Sequence, residues 1–239
     1  MLSDQPPSKI RALRIHQALA RQLGIAILSG EYRPGDAFPG EIEHSAALKV
    51  SRTPYREAIR TLTAKGLLES RPKAGTHVNP RSQWNVLDPE MLAWMFTGTP
   101  DEAFIRDLFE LRGILEPTAA AFAAQRRTAE QLGTMGFALE IMKRKGLAAI
   151  DGQEADRLFH RTILEAAGNV ALASLSSSVG AAVQWTTHYK QKASPHPRDP
   201  LPEHMAVYEG ICEANPEKAS RAMQELLRLA LADMAIGQA

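Results

Sequence analysis

The sequence predicts a mainly α-helical protein: a helix-turn-helix unit closed by a small β-wing, followed by about six further helices. Three observations carry this. Apolar residues recur at helical spacing through the first third of the chain, with turn chemistry between the runs. Two short β-type runs flank Pro72-Lys73-Ala74-Gly75. From residue 101 nearly to the end, helical periodicity is interrupted only by turn residues, and no convincing strand occurs.

Over 8–29 the apolar series is Ile10, Leu13, Ile15, Leu19, Leu23, Ile27 and Leu28, and Gly30 is placed to end that helix. Tyr32-Arg33-Pro34-Gly35-Asp36 is turn chemistry. A short helix over 41–48 and a tight turn at Lys49-Val50 lead into a further helix. Ser51 or Thr53 can cap it, and Pro54 is tolerated in its first turn. It runs to about Lys65 and stops at Gly66. Residues 67–70 and 76–78 are the wing strands, and Asn79-Pro80 closes a first domain, 1–80. Residues 81–100 carry Trp84, Trp94 and Phe96 and are expected to be a linker with a short helix over 89–96. The two indoles are expected to pack between domains. The second domain, 101–239, breaks near Thr128, at 146–152, at Gly168-Asn169, at 194–202 and at Asn215-Pro216. Asn169 is expected at a helix end.

No apolar run approaches the roughly 18–20 residues that cross a bilayer. Residues 1–10 are polar, hold two prolines and lack the apolar centre of a signal peptide. A cytoplasmic protein with no membrane partner is the expectation. Cys212 is the single cysteine, which excludes an internal disulfide and a cysteine-based zinc finger. The net charge of +1 conceals an asymmetry. Residues 1–81 hold thirteen Lys and Arg against seven Asp and Glu, whereas the remainder holds fifteen against twenty. A basic first third suggests a polyanionic partner.

In the helix that follows Ser51, Arg52 and Arg56 are four residues apart and share a face, while Ala58, Ile59 and Leu62 turn to the core. A basic N-terminal half suits entry into the major groove, where Arg makes bidentate bonds to guanine. Gly30-Glu31-Tyr32-Arg33-Pro34-Gly35, the run from Val50 through Ala58, Lys65-Gly66-Leu67-Leu68 and Gly75-Thr76-His77-Val78 occur in order. They resemble the winged helix-turn-helix of GntR-family bacterial transcription regulators. The resemblance implies a double-stranded DNA operator touched by Arg52, Thr53 and Arg56, with Lys73, Gly75 and His77 of the wing near the backbone and minor groove. Ile42 stands where some relatives carry Arg, so one contact is expected to be missing. His44 occupies a usually apolar position and is expected to be a half-buried packing residue.

Leu111-Arg112-Gly113-Ile114-Leu115-Glu116-Pro117, Asp156-Arg157-Leu158-Phe159-His160 with Ala167-Gly168-Asn169, and Glu203-His204-Met205-Ala206-Val207-Tyr208 are similar to the helical FCD effector domain of the FadR subfamily. The stretch from Gln83 to Asp88 with Trp94 is similar to regulators of sugar-acid catabolism. The resemblance implies an antiparallel helical bundle around a polar cavity, a homodimer and a small carboxylate effector.

Asp156 and His160 lie at i and i+4, so a carboxylate and an imidazole point the same way. With His204 they form a candidate ligand set for a divalent metal (zinc, nickel or manganese), or a polar core without one. Leu226 stands where relatives carry a fourth ligand, a His. Arg112 and Glu116 are also i and i+4, and Arg112 is either a clamp for an effector carboxylate or half of a structural pair. Pro117 should leave the Gly113 carbonyl without its helical partner. Trp185 either stacks on a sugar-like ligand or packs in the core. The predicted effector residues are therefore Arg112, Asp156, His160, Trp185 and His204.

A ligand-responsive DNA-binding repressor, not an enzyme, accounts for both halves of the chain. Two alternatives compete. A metal-dependent hydrolase would use the Asp/His/His cluster, but there is no His-Glu-x-x-His motif. An effector-free DNA-binding protein would leave that cluster without a role.

Overall fold

The computed structural model describes residues 7–97 and 100–234, with side chains from residue 15 onward; the polar segment 1–6, the Gly98-Thr99 part of the expected linker and 235–239 lie outside the described residues. The chain forms two compact units, Met1–Thr97 and Gly98–Ala239.

In the first unit, α1 (Pro7–Leu28) precedes a two-residue strand β1 (Ala37–Phe38), α2 (Glu41–Ala47) and α3 (Arg52–Ala64). The wing strands are β2 (Leu68–Arg71) and β3 (Gly75–Val78). The sheet is antiparallel in the order β1-β3-β2, with Phe38 opposite Thr76 and Leu68 opposite Val78. The sequence reading had no counterpart to β1, because two residues are too few to show alternation. Ser51 is the N-cap residue of α3, but its side chain makes no capping bond. Leu19, Leu23, Ile27, Tyr55, Ala58, Leu62 and Leu68 form the core, with Ile59 packed on its rim.

The expected linker is a correction. A 3-10 turn (Arg81–Gln83) and α4 (Pro89–Met95) belong to the first unit, and Trp84, Met91 and Trp94 lie in that unit's own core. Two indoles are too large an apolar surface to leave in a linker. Trp84 Nε1 donates to the Asn79 carbonyl at 2.9 Å. Lys65, buried beneath α4, donates to Asp88 at 2.6 Å and pairs with Glu90 at 2.8 Å. Asp88 also caps α4 through the Glu90 and Met91 amides.

The second unit comprises α5 (Glu102–Arg126), α6 (Ala129–Lys145), α7 (Ile150–Ala166), α8 (Val170–Ser174), α9 (Ser176–Ala193), α10 (Leu201–Cys212) and α11 (Pro216–Ala232). Six are long; the seventh, α8, is a single five-residue stretch capped by Asn169. Thr128 and Gln131 form a capping box at α6, and Asn215 caps α11. α5 continues through Pro117. α7 packs against α5, α6 and α9, and α11 against α5 and α10. Ala119, Ala120, Ala123 and Ala124 are buried at this meeting of helices, where small side chains permit close approach. The polar residues of the unit gather where α5, α7, α9, α10 and α11 meet.

Gly24 of α1 lies under Trp94: a Cβ there would stand 2.5 Å from the indole ring. Gly24→Ala is expected to destabilise the protein by about 1–3 kcal/mol, the cost of overpacking a filled core. Denaturant unfolding followed by tryptophan fluorescence checks this.

Candidate functional site

The first candidate site is the exposed surface of α3 and the wing. Arg52, Thr53 and Arg56 are all exposed. Arg52 Nε donates to Glu41 Oε1 at 2.7 Å, and Arg56 Nε lies 3.9 Å from Glu41 Oε2. One carboxylate at the start of α2 therefore faces both guanidiniums. The side chains remain 64% and 59% exposed, so their outer nitrogens stay open to a ligand. Glu41 was not among the sequence-predicted residues, since its partners lie eleven and fifteen positions away. Ile42, beside it, is exposed to solvent.

At the wing tip, Ala74 N donates to Arg71 O at 3.1 Å. Lys73 takes φ 63° within this turn, and Gly75 takes φ 86°. A left-handed lysine costs about 1 kcal/mol or more where glycine would be free, so its charge is held at the tip against local preference. His77 is half-buried, and its Nε2 donates to the Ala74 carbonyl at 2.9 Å, bracing the wing. His44 is more buried than expected: its Nδ1 lies 3.1 Å from the Tyr55 hydroxyl, and Phe38 meets its ring edge-on.

The second candidate site is the polar junction of the helical unit. α7 supplies Asp156 and His160 one turn apart on its buried face, and α10 supplies His204. His204 Nε2 stands 3.0 Å from Asp156 Oδ1 and 3.3 Å from His160 Nε2, and His160 Nε2 is 3.5 Å from the same carboxylate oxygen. Ligands about 2.1 Å from a tetrahedral ion stand about 3.4 Å from one another, so this triangle has the dimensions of one face of a metal shell.

The outer atoms of each ligand are already committed. His160 Nδ1 makes a very short bond to Glu116 Oε2. His204 Nδ1 donates to the Pro200 carbonyl at 2.7 Å. Thr187 Oγ1 donates to Asp156 Oδ2 at 2.9 Å. With both Nδ1 hydrogens so placed, both Nε2 lone pairs and Asp156 Oδ1 face one point, and a cation or an added proton must lie between them. The three residues thus form a group that can hold a metal ion.

The electrostatics agree. Burial opposes a charged His160, but Glu116 and Asp156 outweigh it and raise its pKa from 6.5 to about 9. Burial would raise Glu116, yet Arg112 and His160 pull it down to about 2. Against the same desolvation, hydrogen bonds from His160 and His204 hold Asp156 far below the usual carboxylate range.

Arg112 is 4% exposed, and its Nε donates to Glu116 Oε1 at 2.6 Å. It also lines the cavity beside this cluster, together with Thr186, Thr187, Lys190, Pro200 and Leu226. The cavity measures about 30 Å³, the scale of an ion with a water molecule. Leu226 of α11 faces it. Trp185 does not line this cavity. It is half-buried and meets His188 edge-on at 5.7 Å, because Thr186 and Thr187 occupy the inward positions of α9. Glu116 and Thr187 carry parts of the site that no sequence spacing linked to the cluster.

Comparison with known proteins follows the same division. The model of bacterial regulatory proteins of the gntR family matches residues 15–78, and that of the FCD domain matches 107–229. An uncharacterised HTH-type transcriptional regulator of Escherichia coli K12, YieP, is 37% identical over 88% of this chain and 91% of its own. The galactonate operon transcriptional repressor of the same strain is 34% identical over 84% of this chain and 88% of its own. Among solved structures, Lar, which controls the Listeria monocytogenes agr system, superposes with TM-score 0.62 at 17% identity, covering 97% of this chain and 98% of Lar.

Two outcomes are expected of the cluster. In metal-free protein, the stabilisation due to charged His160 is complete below pH 6.5 and is lost as pH rises through about 9. Zinc must displace that proton, so zinc affinity is expected to rise with pH over the same window, and Leu226→His to tighten it further. Thermal melts and zinc titrations from pH 6 to 9 check both; a pH-independent zinc affinity would show that no proton is displaced.

Proposed function

Because the chain belongs to the GntR family of bacterial regulatory proteins and carries an FCD domain, we propose that it represses a catabolic operon as a homodimer and releases its operator when a sugar acid enters the helical unit. Membership makes it a DNA-binding transcriptional regulator rather than an enzyme. No helix among the described residues is long and apolar enough to cross a membrane. The observation that carries the effector reading is the placement of Arg112 on the same buried cavity as Asp156, His160 and His204. A guanidinium matches a carboxylate, and the cluster matches hydroxyl or carboxylate oxygens. A sugar acid offers both on one small molecule. The 34% identical relative represses a galactonate operon, and galactonate is such an acid.

The residues present fit a divalent ion: Asp156 Oδ1, His160 Nε2 and His204 Nε2 would hold it. When bound, it neutralises the buried carboxylate and offers open positions to ligand oxygens. This chain's own residues orient the effector. Glu116 fixes His160 and Arg112 together, so a carboxylate drawn to Arg112 perturbs the partner of a cluster ligand.

A cavity of about 30 Å³ has no room for a sugar acid, so binding selects a form of the unit in which the walls stand further apart. A ligand moves an equilibrium only by its differential affinity for the two states. Operator release of ten- to a hundredfold needs roughly 1.4–2.8 kcal/mol of coupling, within reach of a few charge-assisted bonds.

On the DNA side, Arg52, Thr53 and Arg56 would read the major groove, with Lys73, Gly75 and His77 at the backbone and minor groove. Arg52→Ala and Arg56→Ala are each expected to weaken operator binding by roughly 5- to 150-fold at fixed salt, with unchanged thermal melts. Footprinting of the wild type is expected to protect a pseudo-palindrome. Equal operator affinity in both variants and the wild type would remove α3 from the interface. On the effector side, calorimetry with aldonic and uronic acids is expected to show binding that Arg112→Ala weakens at least tenfold. Binding of a fatty acyl or aromatic acid alone would overturn the sugar-acid class.

A further inference from the structure

The cavity holds a second buried cation that the reading above leaves without a task. Lys190 of α9 is 5% exposed and lines the same cavity as Arg112. Among the described residues its Nζ has a single long contact, 3.4 Å to Asp233 Oδ2. Asp233 does not depend on it: Arg198 Nε donates to both Asp233 oxygens, at 3.3 and 3.1 Å. Arg198 is itself anchored to Glu203 at 2.7 Å. Lys190 can therefore turn to a new anion while Asp233 keeps its partner. Arg112 reaches α9 at Thr186, one turn before Lys190. Along the axis of α9 the backbones of Thr186 and Lys190 are about 6 Å apart.

We infer that the effector is a diacid, with one acidic group at Arg112 and the other at Lys190: an aldaric acid or a phosphorylated aldonic acid rather than a simple aldonic acid. The inference rests on the sugar-acid reading and narrows it. A monoacid leaves Lys190 on Asp233 and forgoes one charge-assisted bond to a buried ammonium. A diacid makes both, and its two charges meet two cations already inside the unit, so little polar surface is left unpaired.

Calorimetry on the full chain with gluconate, glucarate, galactonate, galactarate and 6-phosphogluconate tests this. At least one diacid is expected to bind about tenfold or more tightly than the monoacid of the same sugar. Lys190→Met is expected to erase that preference while leaving monoacid affinity within about threefold, which also reports that the variant is folded. Lys190→Arg, which keeps the charge, is expected to retain the preference. Monoacids binding as tightly as diacids, or Lys190→Met weakening both classes alike, overturns the inference and leaves the sugar-acid reading standing. Binding by none of the five overturns the inference, and if no uronic acid binds either, the sugar-acid reading falls with it.

Discussion

Three lone pairs aimed at one point inside the helical unit constrain everything around them. Asp156, His160 and His204 are each at most 3% exposed, and an unpaired charge at such depth costs several kcal/mol. The arrangement stands only because each outer atom is held: Glu116 on one imidazole, the Pro200 carbonyl on the other, Thr187 on the carboxylate. Those partners come from α5, from the turn before α10, and from α9. The helices are thus positioned by a polar network as well as by the apolar core of Phe159, Ile163, Val207 and Ile211 that surrounds it. Apolar packing tolerates sliding among similar shapes; a network of directed bonds does not.

The DNA-reading unit solves a different problem with the same means. Long arginines on an exposed helix lose side-chain entropy when they bind. Glu41 takes one guanidinium through Nε and stands near the other, which limits their wandering while leaving their outer edges for a base or phosphate. An exposed pair of this kind contributes little to stability. Its value lies in geometry, as with the left-handed Lys73 at the wing tip.

How much of this was legible in the sequence follows from what periodicity can report. It says which face of a helix is buried, so Asp156 and His160 could be placed together and Arg52 with Arg56. It does not say which helix lies opposite. The bond from Glu116 to His160 joins residues forty-four positions apart, and that from Thr187 to Asp156 thirty-one. Trp185 illustrates the limit. On a helix with several polar positions, the largest aromatic is a natural choice for a ligand platform, yet the inward register falls to its neighbours Thr186 and Thr187. The linker expected over 81–100, whose short helix is present, missed the packing of Trp84 and Trp94 for another reason. The turn-rich composition there suits a linker, but composition cannot register that Gly24 of α1 leaves a socket for Trp94. His204 came from the resemblance rather than from spacing.

The closeness of the cavity walls bears on how such a unit can respond to a small molecule. A roomy pocket would accept an effector with little movement, and little coupling would follow. Here the space beside the cluster suffices for an ion and a water, and its walls are fastened by ion pairs: Arg112 to Glu116, Lys190 and Arg198 to Asp233. Arg112 and Glu116 are buried while Arg198 and Asp233 are partly exposed, and in each pair an incoming acid would compete with the internal anion for the cation. The carboxylates left behind keep a second partner, Glu116 in His160 and Asp233 in Arg198, so neither becomes an orphaned ion. The cost of parting the helices is then mainly that of separating apolar surface, about 25 cal/mol per Å² exposed. A few charge-assisted bonds to the ligand can offset that for a modest displacement. Under the proposed function, a conformational response would follow from ion pairs that are satisfied in this structure and replaceable by an incoming acid.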